Sequence, residues 1–141
     1  VQGNASTIKM VGGYLVATVA DRENNRQNTV KYLVETWYQK QAERRLKEKT
    51  ERLSKVIGVS PKSVSIKNYK SRWGSCSSNG DLTYNWRIIL APHRIVDYVV
   101  VHELCHLIEH NHSPRYWKHV EYHVPDWREH RDWLKNWSVA V

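Results

Sequence analysis

The sequence predicts an α+β fold: a small mixed β-sheet packed on a buried helix, with a long helix before the sheet and further helices after it. Three observations carry this. Apolar residues recur at helical spacing through residues 29–57. Two short stretches, 63–67 and 82–88, alternate apolar and polar side chains as half-buried strands do. A third stretch, 92–108, is so apolar that it leaves almost no solvent face, which places it at the centre of the fold.

The elements follow in order. From Ile8 to Val19, short apolar stretches flank Gly12-Gly13 and suggest a hairpin or two short strands. Asp21 to Asn28 is polar and reads as a loop. The long helix runs from about Thr29 to Ile57, with Val30, Val34, Trp37, Tyr38, Leu46, Leu53 and Ile57 at near-helical spacing. Gly58 and Pro61 stop it. Its charges are mixed in sign, from Lys40 and Glu43 to Glu51 and Arg52, and read as a solvated face with i,i+4 pairs before they read as a binding stripe. Val64 and Ile66 alternate with Ser63, Ser65 and Lys67 as one strand. Asn79-Gly80 is a hairpin turn. After it Leu82, Tyr84, Trp86 and Ile88 alternate with Thr83, Asn85 and Arg87 as another strand, whose edge is suited to pair with an extended peptide. The apolar helix follows, from about Pro92 to Ile108, and then two helices near Pro114 to Tyr122 and Pro125 to Trp137.

His102-Glu103-Leu104-Cys105-His106 lies in the apolar helix and has the form HExxH. Two histidines four apart share one helix face, because the helix repeats every ~3.6 residues. Both imidazoles can then reach one metal ion, and the glutamate between them can act as general base on a metal-bound water. The plain alternative is an ordinary helix carrying two surface or satisfied core histidines. Context weighs against it: His102, Glu103 and His106 are the ionisable residues of an otherwise apolar, buried half-helix. Burying them without partners is costly, and a metal offsets that cost.

A catalytic zinc takes three protein ligands and keeps one position open. His110 continues the i+4 spacing, but it would lie about 12 Å along the helix axis from His102 at 1.5 Å per residue, too far for one ion. The third ligand has to come from chain that has left the helix. His112 follows Asn111, which tolerates the αL conformation of a helix stop, and precedes Ser113-Pro114, an N-cap and first-turn proline. His112 is therefore the better candidate. His119 and His123 are i+4 on the next helix and read as surface.

The chain has 141 residues, enough for one domain with a real core, and residues 1–141 are expected to form one. It begins at Val1, so it is expected to be the C-terminal part of a longer chain, with 1–28 a residual β or linker region. No run of about 18 apolar residues is present, so no membrane association is expected. Two cysteines, Cys76 and Cys105, do not make a disulfide framework and fit a reducing cytoplasm. The net charge of +8 permits a nucleic-acid or nucleotide contact through basic surface.

A longer ordered series goes beyond the five-residue motif. Ser71-Arg72-Trp73-Gly74-Ser75-Cys76-Ser77, then Asn85-Trp86-Arg87, then the run Asp97 to Leu107, then Asn111-His112-Ser113 and Tyr116-Trp117 resembles the YgjP-like metallopeptidases. That family is similar to the SprT-like and Wss1-like zinc proteases that act on DNA-bound proteins. The resemblance implies a zincin-like fold, a zinc held by His102, His106 and His112, Glu103 as the catalytic residue, and a shortened N-terminal β region.

A developing oxyanion needs a donor. Arg72, Tyr116 and Tyr122 are candidates, with Arg72 first because family order puts it in a strand segment facing the helix. Asn85 and Tyr116 are candidates for substrate contact. Cys76 as a fourth ligand would close the site and is not expected. Three functions remain: a zinc peptidase acting on protein or peptide, a metal-dependent hydrolase of nucleotides or other phosphates, and a non-catalytic zinc-containing module that binds protein or nucleic acid. An intact Glu103 counts against the last.

Overall fold

A computed structural model describes residues 7–18 and 26–137. The chain divides into two compact units, Val1–Gln41 and Ala42–Val141. In the first, strands β1 (Thr7–Val11) and β2 (Tyr14–Thr18) form an antiparallel hairpin. Gly12 and Gly13 both have positive φ, as a two-residue type I′ turn requires. Helix α1 (Arg26–Ile57) begins in this unit and ends in the second. It starts ahead of the expected Thr29, because its first turn is polar and carries no apolar periodicity. Val19 and the expected loop from Asp21 up to residue 25 lie outside the described residues.

In the second unit Ala42, Leu46, Thr50 and Ser54 form a buried stripe along α1 at a spacing of four. Gly58 ends the helix as expected: its φ of 84° is the left-handed cap, and both Gly58 and Val59 donate to the Ser54 carbonyl. Three strands follow, β3 (Ser63–Lys67), β4 (Gly74–Cys76) and β5 (Asp81–Asn85). Their order is β3-β5-β4, with β5 parallel to β3 and antiparallel to β4, so the sheet is mixed as the sequence predicts. Gly80 closes the β4–β5 turn at a φ of 90°.

Beyond β5 the sequence reading needs three corrections. The strand expected to reach Ile88 ends at Asn85, and Trp86–Leu90 is a 3-10 helix. The Asn85 side chain accepts from the Arg87 N–H at 3.1 Å and turns the chain out of the ladder. Trp86 and Ile88 are nonetheless both fully buried, so the alternation persists without the strand. Helix α2 (His93–Cys105) stops short of Ile108. His106, Leu107 and Ile108 continue it as tighter i→i+3 turns to Glu103, Leu104 and Cys105. Asn111 is not αL either: no described residue other than glycine has positive φ. The reversal is made by a short bond from the Ser113 N–H to the Asn111 carbonyl.

Helices α3 (Pro114–His123) and α4 (Trp127–Asn136) complete the unit. The core lies where α2 meets the sheet, the 3-10 turn and α3: Leu82, Tyr84, Trp86, Ile95, Val100, Leu104, Tyr116 and Val120 are all inaccessible. Two polar contacts fasten α1 to this core. Thr50 and Tyr84 share a buried hydroxyl pair at 3.0 Å, and Lys49 reaches Asp97 on α2 at 2.7 Å. Among the described residues no helix is long and apolar enough to cross a membrane.

Candidate metal centre

The site is built at the end of α2. Tyr98 and His102 stand four apart on one helix face, and His106 lies one turn further, just past the helix. The tightened turns after Cys105 and the Ser113–Asn111 bond bring the chain back, so that His112 returns over His106. One ring nitrogen from each of His102, His106 and His112 lies within 4.8 Å of the others. The His106 and His112 Nε2 atoms are 3.0 Å apart. His106 Nδ1 is 3.2 Å from the Glu109 carbonyl and donates to it, which leaves the Nε2 lone pair turned toward the cluster. His110 is exposed and outside the cluster; His119 and His123, half-buried and not at the surface as expected, are outside it too.

Aromatic rings hold these imidazoles. The Tyr116 ring stacks on His106 at 4.3 Å, and its hydroxyl donates to the His102 carbonyl at 2.7 Å. His112 is exposed, but its ring lies parallel to Trp117 at 5.7 Å, and Trp117 stacks on the buried Trp127 at 4.1 Å. Burial lowers the basicity of His106, reinforced by His102; burial and then His102 do the same for His112. Both rings are thus biased to the neutral form that a metal takes. Three converging nitrogen donors with no thiolate among them suit a borderline divalent ion.

Glu103 is buried, with 5% of its surface exposed, and its Oε2 lies 3.4 Å from His102 Nδ1. Strand β4 passes close over it. A Cβ at Gly74 would sit 3.0 Å from Glu103 Oε2 and 3.2 Å from the Thr83 carbonyl oxygen. Glycine is the residue that lets the strand approach so closely. Cys76, two residues on, has its thiol pushed up to about 11 by burial, then by Glu103 and Asp81, and is not part of the ligand cluster.

A cleft of about 410 Å³ opens beside Glu103 and His102. Arg72 lines it, but from the loop before β4, not from within the strand as expected. The other expected contacts are placed differently. Asn85 is 3% exposed, and both its amide and its oxygen are engaged by backbone: Nδ2 donates to the Tyr69 and Arg72 carbonyls, and Oδ1 accepts from Arg87. It fixes the 69–72 loop, with its side-chain polar atoms bonded to backbone. Tyr116 is inaccessible, with its hydroxyl committed to His102. Tyr122 is 83% exposed, with its ring against His123, and is not brought to the cleft. Tyr98, Arg131 and Lys135 line the cleft and were not anticipated. Tyr98 was detectable, since it stands at i−4 from His102. No sequence signal places α4 against the site.

Residues 5–137 match the family described as YgjP-like, metallopeptidase domain. No curated protein matches the sequence significantly. Among solved structures, the metallopeptidase zymogen of Pyrococcus abyssi abylysin has a TM-score of 0.58 at 23% identity, over 63% of this chain and 90% of that one. The metallopeptidase zymogen of Methanocaldococcus jannaschii jannalysin has a TM-score of 0.56 at 17% identity, over 63% and 92%. At these identities the likeness is one of fold.

Proposed function

The chain belongs to the YgjP-like metallopeptidase family, and from that premise we propose that it is a zinc peptidase in which Glu103 activates the attacking water. The observation that carries the reading is the meeting of three imidazoles, of which burial biases His106 and His112 to neutrality, with one buried carboxylate, on a zincin-like α+β frame. His102, His106 and His112 would hold the ion. A zinc bound there would lower the pKa of a water to about 7 and polarise the scissile carbonyl. Glu103 takes the proton from the attacking water and delivers it to the leaving amine. Gly74 keeps space for the carboxylate, and Tyr116 holds two of the histidines in place. Arg72, on the same cleft, is the proposed donor to the developing oxyanion. The free cysteines fit a reducing cytoplasm.

Hydrolysis of nucleotides or other phosphates is the second reading, favoured by the net charge of +8. One assay separates the two. Zinc-loaded protein is incubated with an unfolded protein, a DNA-bound protein and nucleoside triphosphates, beside Glu103→Gln. New peptide termini that depend on Glu103 are the expected result. Phosphate release without peptide cleavage would replace the peptidase reading, and no hydrolysis at all would leave a binding module. Glu103→Gln should retain zinc while hydrolysis falls by about 10²-fold or more, the scale of losing a general base. Zinc lost in parallel would make Glu103 a ligand or a structural residue.

A further inference from the structure

The loop 71–73 and Lys135 are shared by two clefts. One is the cleft of about 410 Å³ that reaches Glu103 and His102. The other, of about 630 Å³, continues from the same wall and carries Lys70, Arg72, Arg87 and Lys135. None of the described residues lining this second trough is acidic. Four cations converge there with no carboxylate among them, an arrangement that favours an anionic guest. The trough is also built rather than incidental. Asn85 holds the Tyr69 and Arg72 carbonyls, the Asn68 side chain holds the Arg87 guanidinium, and Trp73 stacks on Trp137 at 4.9 Å to form its apolar wall.

We propose that this trough is a substrate subsite that selects acidic residues, so that the preferred substrate is a polypeptide carrying Asp or Glu beside the bond to be cut. The proposal rests on the peptidase reading and specifies its substrate class. Geometry favours an acidic peptide over a nucleic-acid strand. Binding of a single strand relies on open aromatic faces for base stacking, whereas Trp137 is already in ring contact with both Trp73 and Trp133. What the trough offers is cations, and the planar forks of arginine match carboxylates. Because the trough and the Glu103 cleft share Arg72, Trp73 and Lys135, a chain lying across the metal centre would carry neighbouring side chains into it.

The test uses peptides identical except for Glu, Gln or Lys at positions flanking the scissile bond. The zinc-loaded protein should cleave the Glu peptide with kcat/KM about tenfold or more above the Gln peptide at low salt, with the gap closing as salt screens it. The double variant Lys70→Gln/Lys135→Gln changes two exposed side chains outside the proposed metal ligands. It should lose the Glu preference, with the kcat/KM ratio of the Glu to the Gln peptide falling toward one, while keeping its zinc content. Equal rates on the Glu and Gln peptides in the wild type, or a preference that survives the double variant, would overturn the subsite. Binding of the same peptides to Glu103→Gln, read by tryptophan fluorescence, decides the matter independently of turnover. About tenfold tighter binding of the Glu peptide supports the subsite even if no peptide is cleaved, in which case only the peptidase reading falls. Tighter binding of a single-stranded oligonucleotide than of the Glu peptide would assign the trough to nucleic acid instead.

Discussion

His112 is exposed, yet its ring nitrogen stands 3.0 Å from that of a buried histidine. Two things hold it there: the reversal at Asn111–Ser113 and the stack of its ring on Trp117. His110, two residues earlier, has neither role. His112→Ala should therefore weaken zinc binding by more than the roughly 10–100-fold that loss of a ligand-orienting group costs. His110→Ala should leave it near wild type. Competition with a chelator measures both; equal losses would mean that His110 supplies the third nitrogen. Gly74 gives a second test at this scale. In Gly74→Ala the new methyl meets the Glu103 carboxylate and the Thr83 carbonyl, and the carboxylate is the part that can move. Hydrolysis should fall by about 10–100-fold, since small misplacements of a reacting group are costly, while zinc content stays unchanged. Full activity would show that Glu103 tolerates the displacement. Cys76 offers a pH test. Burial is the first cause of its raised pKa, with Glu103 and Asp81 adding to it, so the folded protein keeps a proton that an unfolded thiol releases near 8.5. The folded state then binds more protons, and stability should decline as pH rises from about 9 toward about 11. Cys76→Ser should make that alkaline slope shallower in denaturant titrations, with the buried Cys105 thiol, pushed up to about 12, keeping its own share, and leave zinc content intact; loss of zinc would make Cys76 a ligand.

At the scale of elements, the joint between α2 and α3 decides whether the histidines meet. Ser113 caps α3 by accepting from the Tyr116 N–H at 3.3 Å, which links the residue after His112 to the ring beneath His106. Ser113→Ala should cost about 1 kcal/mol in thermal unfolding, the usual worth of an N-cap, and weaken zinc binding by a smaller factor than His112→Ala. No change in either would mean that Pro114 and the Asn111 bond hold the joint alone. What the sequence could reveal follows the same division. β3, the Asn79-Gly80 turn, the Ser113 cap and the HExxH pair are local patterns, and they were legible; of the buried α1 stripe only Leu46 was, because Ala42, Thr50 and Ser54 are small or polar and carry no apolar period. The end of β5 was not, because Trp86 and Ile88 keep a strand's alternation inside a 3-10 turn. Strand β4 has three residues, too few for a period, and exists through its pairing with β5. The convergence of His112 was reachable from the span of a helix. The seating of Glu103 against Gly74, the commitment of Asn85 to loop backbone and the arrival of Arg131 and Lys135 at the cleft depend on contacts distant in sequence, and no spacing rule reports them.

For the whole molecule, every residue proposed for the site lies in the unit Ala42–Val141. The net charge of +8 is not spread as a featureless surface excess: four of the cations gather in the trough beside the cleft. The metal is the premise on which cleavage, selectivity and the variants all depend. The measurement that reaches it most directly is zinc bound per chain, by elemental analysis after reconstitution with zinc and removal of excess ion. About one zinc per chain is expected, because three nitrogens converge on one point. A stoichiometry near zero, or one unchanged when His102, His106 and His112 are all replaced by alanine, would contradict a metal centre at this site.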